Sequence, residues 1–456
     1  MKKNSRELGE EKISKLLFKF SIPAIIGTLV NALYNIVDRM FIGNGVGSLG
    51  IAGLTIGFPI MMISMAFSML IGVGTTALIS IRLGENDQES AESIMGTGAM
   101  GLVLMALLLS ALSITFLEPL LKLFGATAAN LPYAKSYMQI ILLGNIFASI
   151  GFGMNNFIRA EGNPKIAMFT MLLGAVINVI LDYIFIFIFN WGIQGAAFAT
   201  VLAQAVSAAW VLVYFLGGKS LLKLKKKNLK LDTKLLLQIV AIGSAPFAMQ
   251  LASSLLNLIM NNSLKVYGGD TAIAGMGIVF STMMLLMMPV IGISQGVQPI
   301  IGYNYGAQKY DRVKEALKSA MYAATTIAVL GFVLTRLYSV QLVTLFNPED
   351  KELIKFGSKA IHYFFIMLPV VGFQIVGANY YQAVGKPRAA MILTLSRQIL
   401  FLIPLLLILP RFYGLEGILY AGPTADFCSF ILTFIFIARE FKFLSRPSLT
   451  EVLGDG

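Results

Sequence analysis

The sequence predicts an all-α polytopic membrane protein, with twelve transmembrane helices arranged as two six-helix bundles related by a pseudo-two-fold axis. Three observations predict it. The 456-residue chain is 57% hydrophobic and only 13% charged, about half the charge of an ordinary soluble domain, and its mean hydropathy is +0.78. The apolar residues gather into uncharged runs, among them Phe20 to Val37, Ser93 to Leu117, Ser136 to Ile158 and Leu235 to Leu264. Each is near or above the roughly 20 residues that cross a bilayer. Short motifs also recur in order at a nearly constant spacing, the mark of an internal repeat.

Charges, Gly/Pro turns and run lengths place the spans one by one. The first, 17–42, follows a basic N-terminus, as a signal peptide would. It lacks a small-residue cleavage site and soon meets Asn31, Asn35 and Asp38, so it reads as a retained helix. The second, 52–81, is separated by the net-acidic loop Arg82–Glu92 from the third, 94–117. The fourth, 134–158, runs into Gly162-Asn163-Pro164, after which come the fifth, 166–189, and the sixth, 193–215. A second set follows at 236–264, 272–304, 318–340, 358–382, 389–409 and 415–438. This divides the chain into an N-terminal lobe (1–218), a basic cytoplasmic linker (219–234), a C-terminal lobe (235–443) and a cytoplasmic tail (444–456).

Lys and Arg set the orientation. The N-terminal lysines Lys2, Lys3, Lys12, Lys15 and Lys19, the linker lysines, Lys386 with Arg388, and the tail residues Arg439, Lys442 and Arg446 all fall on one side when twelve spans are counted. That side is the cytoplasm, so both termini are expected there, in a bacterial cytoplasmic (inner) membrane.

The repeat aligns Ser21-Ile22-Pro23-Ala24 with Ser244-Ala245-Pro246-Phe247, and Ile51-Ala52-Gly53 with Ile273-Ala274-Gly275. It aligns Ala160-Glu161-Gly162-Asn163-Pro164-Lys165 with Ala383-Val384-Gly385-Lys386-Pro387-Arg388, and Gly192-Ile193-Gln194-Gly195 with Gly414-Leu415-Glu416-Gly417. Every offset is 222 or 223. Six helices per repeat is an even number, so both halves enter the membrane the same way and their symmetry axis should follow its normal. Duplication of this kind commonly sets a substrate cavity between the halves.

Several function classes are excluded. A net charge of +12 could point to nucleic acid. The largest basic block, Lys219, Lys223, Lys225, Lys226, Lys227, Lys230 and Lys234, instead lies between two spans, where it fits anionic lipid and the inside-positive bias. A single cysteine, Cys428, rules out an internal disulfide, and a single histidine, His362, rules out a multi-histidine relay or zinc site. No nucleophile–base constellation suggests an enzyme, and no cofactor is expected.

Charges within hydrocarbon cost several kcal/mol and call for a reason. Asp38, Asp182 and Thr200 all fall roughly 10–12 Å below the outer surface at 1.5 Å per residue. Asn178 and Asp182 share a helical face, as do Tyr34 and Asp38 at i,i+4, with Asn31 one further turn away. Two carboxylates with amide and hydroxyl oxygens form a hard-oxygen set suited to Na⁺. The same pair could carry protons, because two close, desolvated carboxylates resist double ionisation. The competing reading is that Asp38 pairs with Arg39 or snorkels outward to the membrane surface. The repeat maps Asp38 to Asn261 and Asp182 to Leu405, so the second half lacks both acids. Its own intramembrane charges are Arg397 and Asp426, either a structural salt bridge or a substrate gate. Met287, with Met283, Met284 and Met288 and the repeat-related Met61, Met62, Met65 and Met69, reads either as adaptable substrate surface or as membrane filler.

These stretches resemble the MATE (multidrug and toxic compound extrusion) transporters, in particular the bacterial MepA-like or DinF-like branch. The resemblance spans all twelve predicted helices. It rests on Ser21-Ile22-Pro23-Ala24 through Asn35-Ile36-Val37-Asp38-Arg39, on Ala160-Glu161-Gly162-Asn163-Pro164, on Asn178 to Asp182, and on Ser396-Arg397-Gln398. It implies two bundles flanking a cleft and export of organic, often cationic, compounds in exchange for H⁺ or Na⁺. It also implies a cation site at Asp38, Asn178, Asp182 and Thr200, with Pro23 matching a proline linked to bending of the first helix. Another branch carries acids on the seventh and tenth helices. Here Gln250, Asn257, Gln374 and Asn379 stand instead, which argues against a cation site in the C-terminal lobe. The expected protein is thus a cation-coupled antiporter working by alternating access on small organic substrates, in contact with membrane lipid and acting as a monomer. The alternative is a lipid-linked oligosaccharide flippase of the same superfamily.

Overall fold

The structure is a computed structural model that describes residues 3–445 except 219 and 347. Most of the expected tail, together with Lys2, Lys219 and Arg446 of the basic clusters, lies outside the described residues. Among the described residues all regular structure is helical: α1 (Lys3–Glu10), α2 (Ile13–Gly45), α3 (Ser48–Gly84), α4 (Gln88–Thr115), α5 (Leu117–Leu123), α6 (Leu131–Ala160), α7 (Pro164–Tyr183), α8 (Gly192–Leu216), α9 (Thr233–Gly306), α10 (Tyr310–Leu337), α11 (Ser339–Thr344), α12 (Lys351–Phe364), α13 (Leu368–Ala383), α14 (Pro387–Leu395) and α15 (Ile403–Leu444).

Nine helices among the described residues are long and apolar enough to cross a membrane. Two of these are double. The 74 residues of α9 break at Gly269, with φ 65°, and the 58-residue stretch Pro387–Leu444 breaks at Gly414, with φ 56°. The helices α12 and α13, bent by 53°, are long and apolar enough together. Divided at these breaks, the described residues hold twelve segments long and apolar enough to cross, the number the sequence predicts.

The repeat is written into the backbone. Gly162 (φ 99°) and Gly385 (φ 69°) each end a helix in the left-handed region. Asn163 N–H then reaches back to Ile158 O at 3.1 Å, and Lys386 N–H to Tyr381 O at 2.8 Å. This six-to-one closure satisfies carbonyls that the helix end would orphan. Pro164 and Pro387 follow as first residues of the next helix, where the missing N–H costs nothing. The same spacing relates the left-handed residues Asn86 and Gln308.

The chain divides into two compact units: residues 1–10 with 26–247, and residues 11–25 with 248–456. Both boundaries cut through helices, α2 and α9, at repeat-equivalent positions just past Pro23 and Pro246. In the first unit, α6 packs against α3, α4, α7 and α8, around a core that includes Ile42, Leu54, Tyr137, Met138, Ile141 and Ile186. The start of α9 lies backbone to backbone on α3. A Cβ at Gly243 would stand 1.7 Å from Leu70 O, and one at Gly74 would stand 2.0 Å from Ile239 O. Glycine therefore sets the closeness of that crossing. In the second unit, a Cβ at Gly296 would stand 2.8 Å from Ser21 Cα. There α13 packs on α10, α14 and α15.

Two buried carboxylates fix the linker to the first unit. Glu161 accepts from Ser220 Oγ at 2.6 Å, from Leu222 N at 3.2 Å, and from the Tyr214 hydroxyl. Burial pushes the Glu161 carboxyl above its ordinary range, and these donors partly offset it. Glu92 pairs with Lys225 and accepts from Lys223 N at 3.2 Å. Outward, rows such as Leu107, Leu108 and Leu112 of α4 stand exposed, as a lipid-facing helix stripe requires.

Candidate functional site

The first unit brings Asp38, Asn178, Asp182 and Thr200 together. All four are buried, Asp182 fully, at 0% exposure. Asp38 sits in the last third of α2, and Asp182 in the last turn of α7. Directly after Asp182 the helix widens into a π-turn, Ile184–Ile188. Such insertions recur at functional positions, because they re-aim side chains at the cost of regular bonding. The turn is held from both sides. A Cβ at Gly45 would meet Ile186 at 2.2 Å, and one at Gly195 would meet the Phe185 carbonyl at 3.0 Å. Phe41 stacks edge-on to Phe187 at 5.7 Å.

The carboxyl groups of Asp38 and Asp182 lie within hydrogen-bonding reach of each other. Yet Asp38 Oδ1 and both oxygens of Asp182 are buried and meet no donor among the described residues. The two facts agree, since a pair of ionised carboxylates holds only acceptors. A proton shared between them, or a cation beside them, supplies what the chain does not. Asn178 Nδ2 donates to Thr200 Oγ1 at 3.4 Å, and Thr200 donates to its own backbone at Ala196 O, 3.0 Å. That leaves Asn178 Oδ1 buried and unpartnered beside the acids. Arg39 acts on Asp38 at a distance but forms no salt bridge with it among the described residues. Its guanidinium lies over the Phe58 ring, 5.6 Å from the centroid.

Of the supporting residues, Tyr34 is half-buried and close enough to interact electrostatically with both aspartates. Asn31 is exposed; Asn35 Nδ2 donates to its backbone O at 2.6 Å and to its Oδ1 at 3.5 Å. Pro23 lies about 22 Å along the helix from Asp38. Its segment, residues 11–25, belongs to the second unit. The sequence reading missed Tyr137. It is buried on α6 and close enough to interact with Thr200 and, electrostatically, with both aspartates. Its signal was faint, a lone hydroxyl near the outer end of an apolar span. Among the described residues no three His, Cys, Asp or Glu side chains form a metal-binding group.

In the second unit Arg397 Nε donates to Asp426 Oδ1, with side-chain exposures of 25% and 3%. Gln374 Nε2 donates to Asp426 O at 2.5 Å, so the three share one cluster. Arg397 also lies in a π-turn, Ser396–Leu402. The neighbouring Gln398 donates to Ser253 Oγ at 2.9 Å. Gln250 is half-buried on α9, Asn257 is exposed, and Met287 is buried in the helix packing.

A family model described as MatE matches residues 23–184 and 245–408, one segment in each repeat. A curated relative, the multidrug export protein MepA of Staphylococcus haemolyticus, is 28% identical over 97% of this chain and 98% of its own length. Its counterpart in Staphylococcus aureus is 28% identical over 90% of each chain. Among solved structures, the MATE multidrug transporter DinF-BH in complex with R6G is 44% identical. It superposes with a TM-score of 0.89 over 96% of this chain and 98% of its own. A MATE in complex with MaL6 has a TM-score of 0.92 at 22% identity and bears on the fold alone.

Proposed function

The chain belongs to the MatE family, and from that premise we propose that it exports organic, cationic or amphipathic compounds across a bacterial cytoplasmic membrane. The names of its relatives support multidrug export rather than the flipping of lipid-linked oligosaccharides. They likewise place it among transporters rather than enzymes. The observation that carries the coupling proposal is the facing pair Asp38 and Asp182, buried with three oxygens that no donor meets among the described residues.

In this reading the pair binds the driving cation and Asn178 and Thr200 complete the site. The cation and the substrate prefer different conformations, which is all that coupling requires. Ion entering from outside favours the state that releases substrate, and its departure inward resets the transporter by alternating access. Contact between the two carboxyls favours H⁺, because one shared proton satisfies both groups at once. A second reading, Na⁺ as the transported ion, draws on Asn178 Oδ1, a further oxygen left unpartnered beside the acids. Both termini face the cytoplasm in this proposal, and the chain works as a monomer in contact with lipid.

The test is efflux of R6G, the dye bound by the relative, from proteoliposomes under separately imposed pH and sodium gradients. A pH gradient alone is expected to drive it. Efflux driven only by sodium would select the second reading, and no response to either gradient would refute cation coupling.

A further inference from the structure

The second unit holds a wide-open surface cavity, a shallow basic depression, that the cation site does not use. Its volume is about 380 Å³, and it is lined by Lys314, Lys318, Phe441, Lys442 and Ser445. It lies where the first turns of α10 meet the end of α15. Three ammonium groups line it and no carboxylate does. Lys314 donates to Ser445 Oγ at 2.5 Å, and Lys318 lies 5.7 Å from the centroid of the Phe441 ring. None of the three lysines forms an ion pair among the described residues. The buried acid next to Phe441, Glu440, is already satisfied by Lys386 Nζ at 2.5 Å and by the Tyr380 hydroxyl at 3.0 Å. Asp311 and Glu315 of α10 are exposed and line no part of it.

Three like charges around one cavity repel unless an anion sits among them. Phosphate, with several acceptor oxygens, can take a donor from each ammonium. The cavity also opens at the ends of two membrane-crossing helices, on the side the Lys and Arg count assigns to the cytoplasm. Basic pockets between helices at that depth suit anionic headgroups, and Phe441 supplies an apolar wall that a free ion would not use. We propose that this cavity binds the phosphate of an anionic phospholipid from the cytoplasmic leaflet. The three lysines surround the phosphate, and the glycerol end of the acyl chains lies against Phe441.

Native mass spectrometry of the full-length protein, titrated with phosphatidylglycerol or phosphatidylcholine, tests this without a transport assay. Phosphatidylglycerol should bind tightly and phosphatidylcholine weakly. The K314Q/K318Q/K442Q variant should lose at least tenfold in phosphatidylglycerol affinity. K265Q/K351Q/K355Q, which removes the same charge from exposed positions elsewhere in the second unit, should change it less than threefold. K442Q alone, at an exposed position, gives a fold-independent check and should lose severalfold. Equal losses in the two triple variants, or none in K442Q, would overturn the proposal. So would displacement of phosphatidylglycerol by equimolar inorganic phosphate, which would make the cavity a free-anion site.

Discussion

Under the proposed coupling Asp38 and Asp182 act as one unit, because Asp38 Oδ1 and both Asp182 oxygens meet no donor among the described residues and each carboxyl lies within reach of the other. Residues that act together give strongly non-additive losses. Asp182→Asn is therefore expected to abolish gradient-driven efflux as fully as Asp38→Asn, and the double variant should be no worse than either; efflux rates in proteoliposomes measure this. The Arg397–Asp426 pair makes the opposite kind of prediction. Removing one partner strands a buried charge, a loss of about 3–5 kcal/mol, whereas replacing both with apolar residues is nearly neutral. Thermal unfolding in detergent should show Arg397→Leu strongly destabilised and Arg397→Leu/Asp426→Leu close to the parent. At this scale the sequence was informative. Intramembrane acids are rare enough to stand out, and helical spacing put Asn178 and Asp182 on one face. Tyr137 escaped because tyrosine is common near the ends of membrane spans, and only its tertiary neighbours distinguish it. A shared helical face does not fix which way an exposed amide turns: Asn31 Oδ1 accepts from Asn35 Nδ2 along its own helix at 3.5 Å.

The helices themselves were legible from apolar runs and Gly/Pro punctuation, since a span needs both length and a defined stop. Gly162 and Gly385 supply those stops in the left-handed region. Gly162→Ala and Gly385→Ala should each cost about 1–2 kcal/mol from the Cβ clash that this region imposes, read as a lowered Tm. Gly243→Ala acts differently. Its Cβ would collide with the Leu70 carbonyl oxygen, so the start of α9 must lift from α3, and overpacking of this kind costs about 1–3 kcal/mol. Tm and efflux should fall together in that variant. The π-turns after Asp182 and at Arg397 could not be read from sequence, because one extra residue per turn leaves an apolar run unchanged in composition. The unit boundaries inside α2 and α9 were equally hidden. The repeat located Pro23 and Pro246 but said nothing of which helices the segments before them pack against.

For the whole molecule, two repeats share a backbone plan, down to matching left-handed residues, yet differ in chemistry. The first carries the facing aspartates. The second has Asn261 and Leu405 at the equivalent positions and an internally neutralised Arg397–Asp426 pair. Under the proposed coupling, energy input belongs to one half of a duplicated transporter. The most direct test is R6G efflux from proteoliposomes containing Asp38→Asn protein, inserted to the same level as the parent, under an imposed pH or sodium gradient. The account predicts that gradient-driven efflux falls to the rate of protein-free vesicles. Efflux at the parental rate would contradict it.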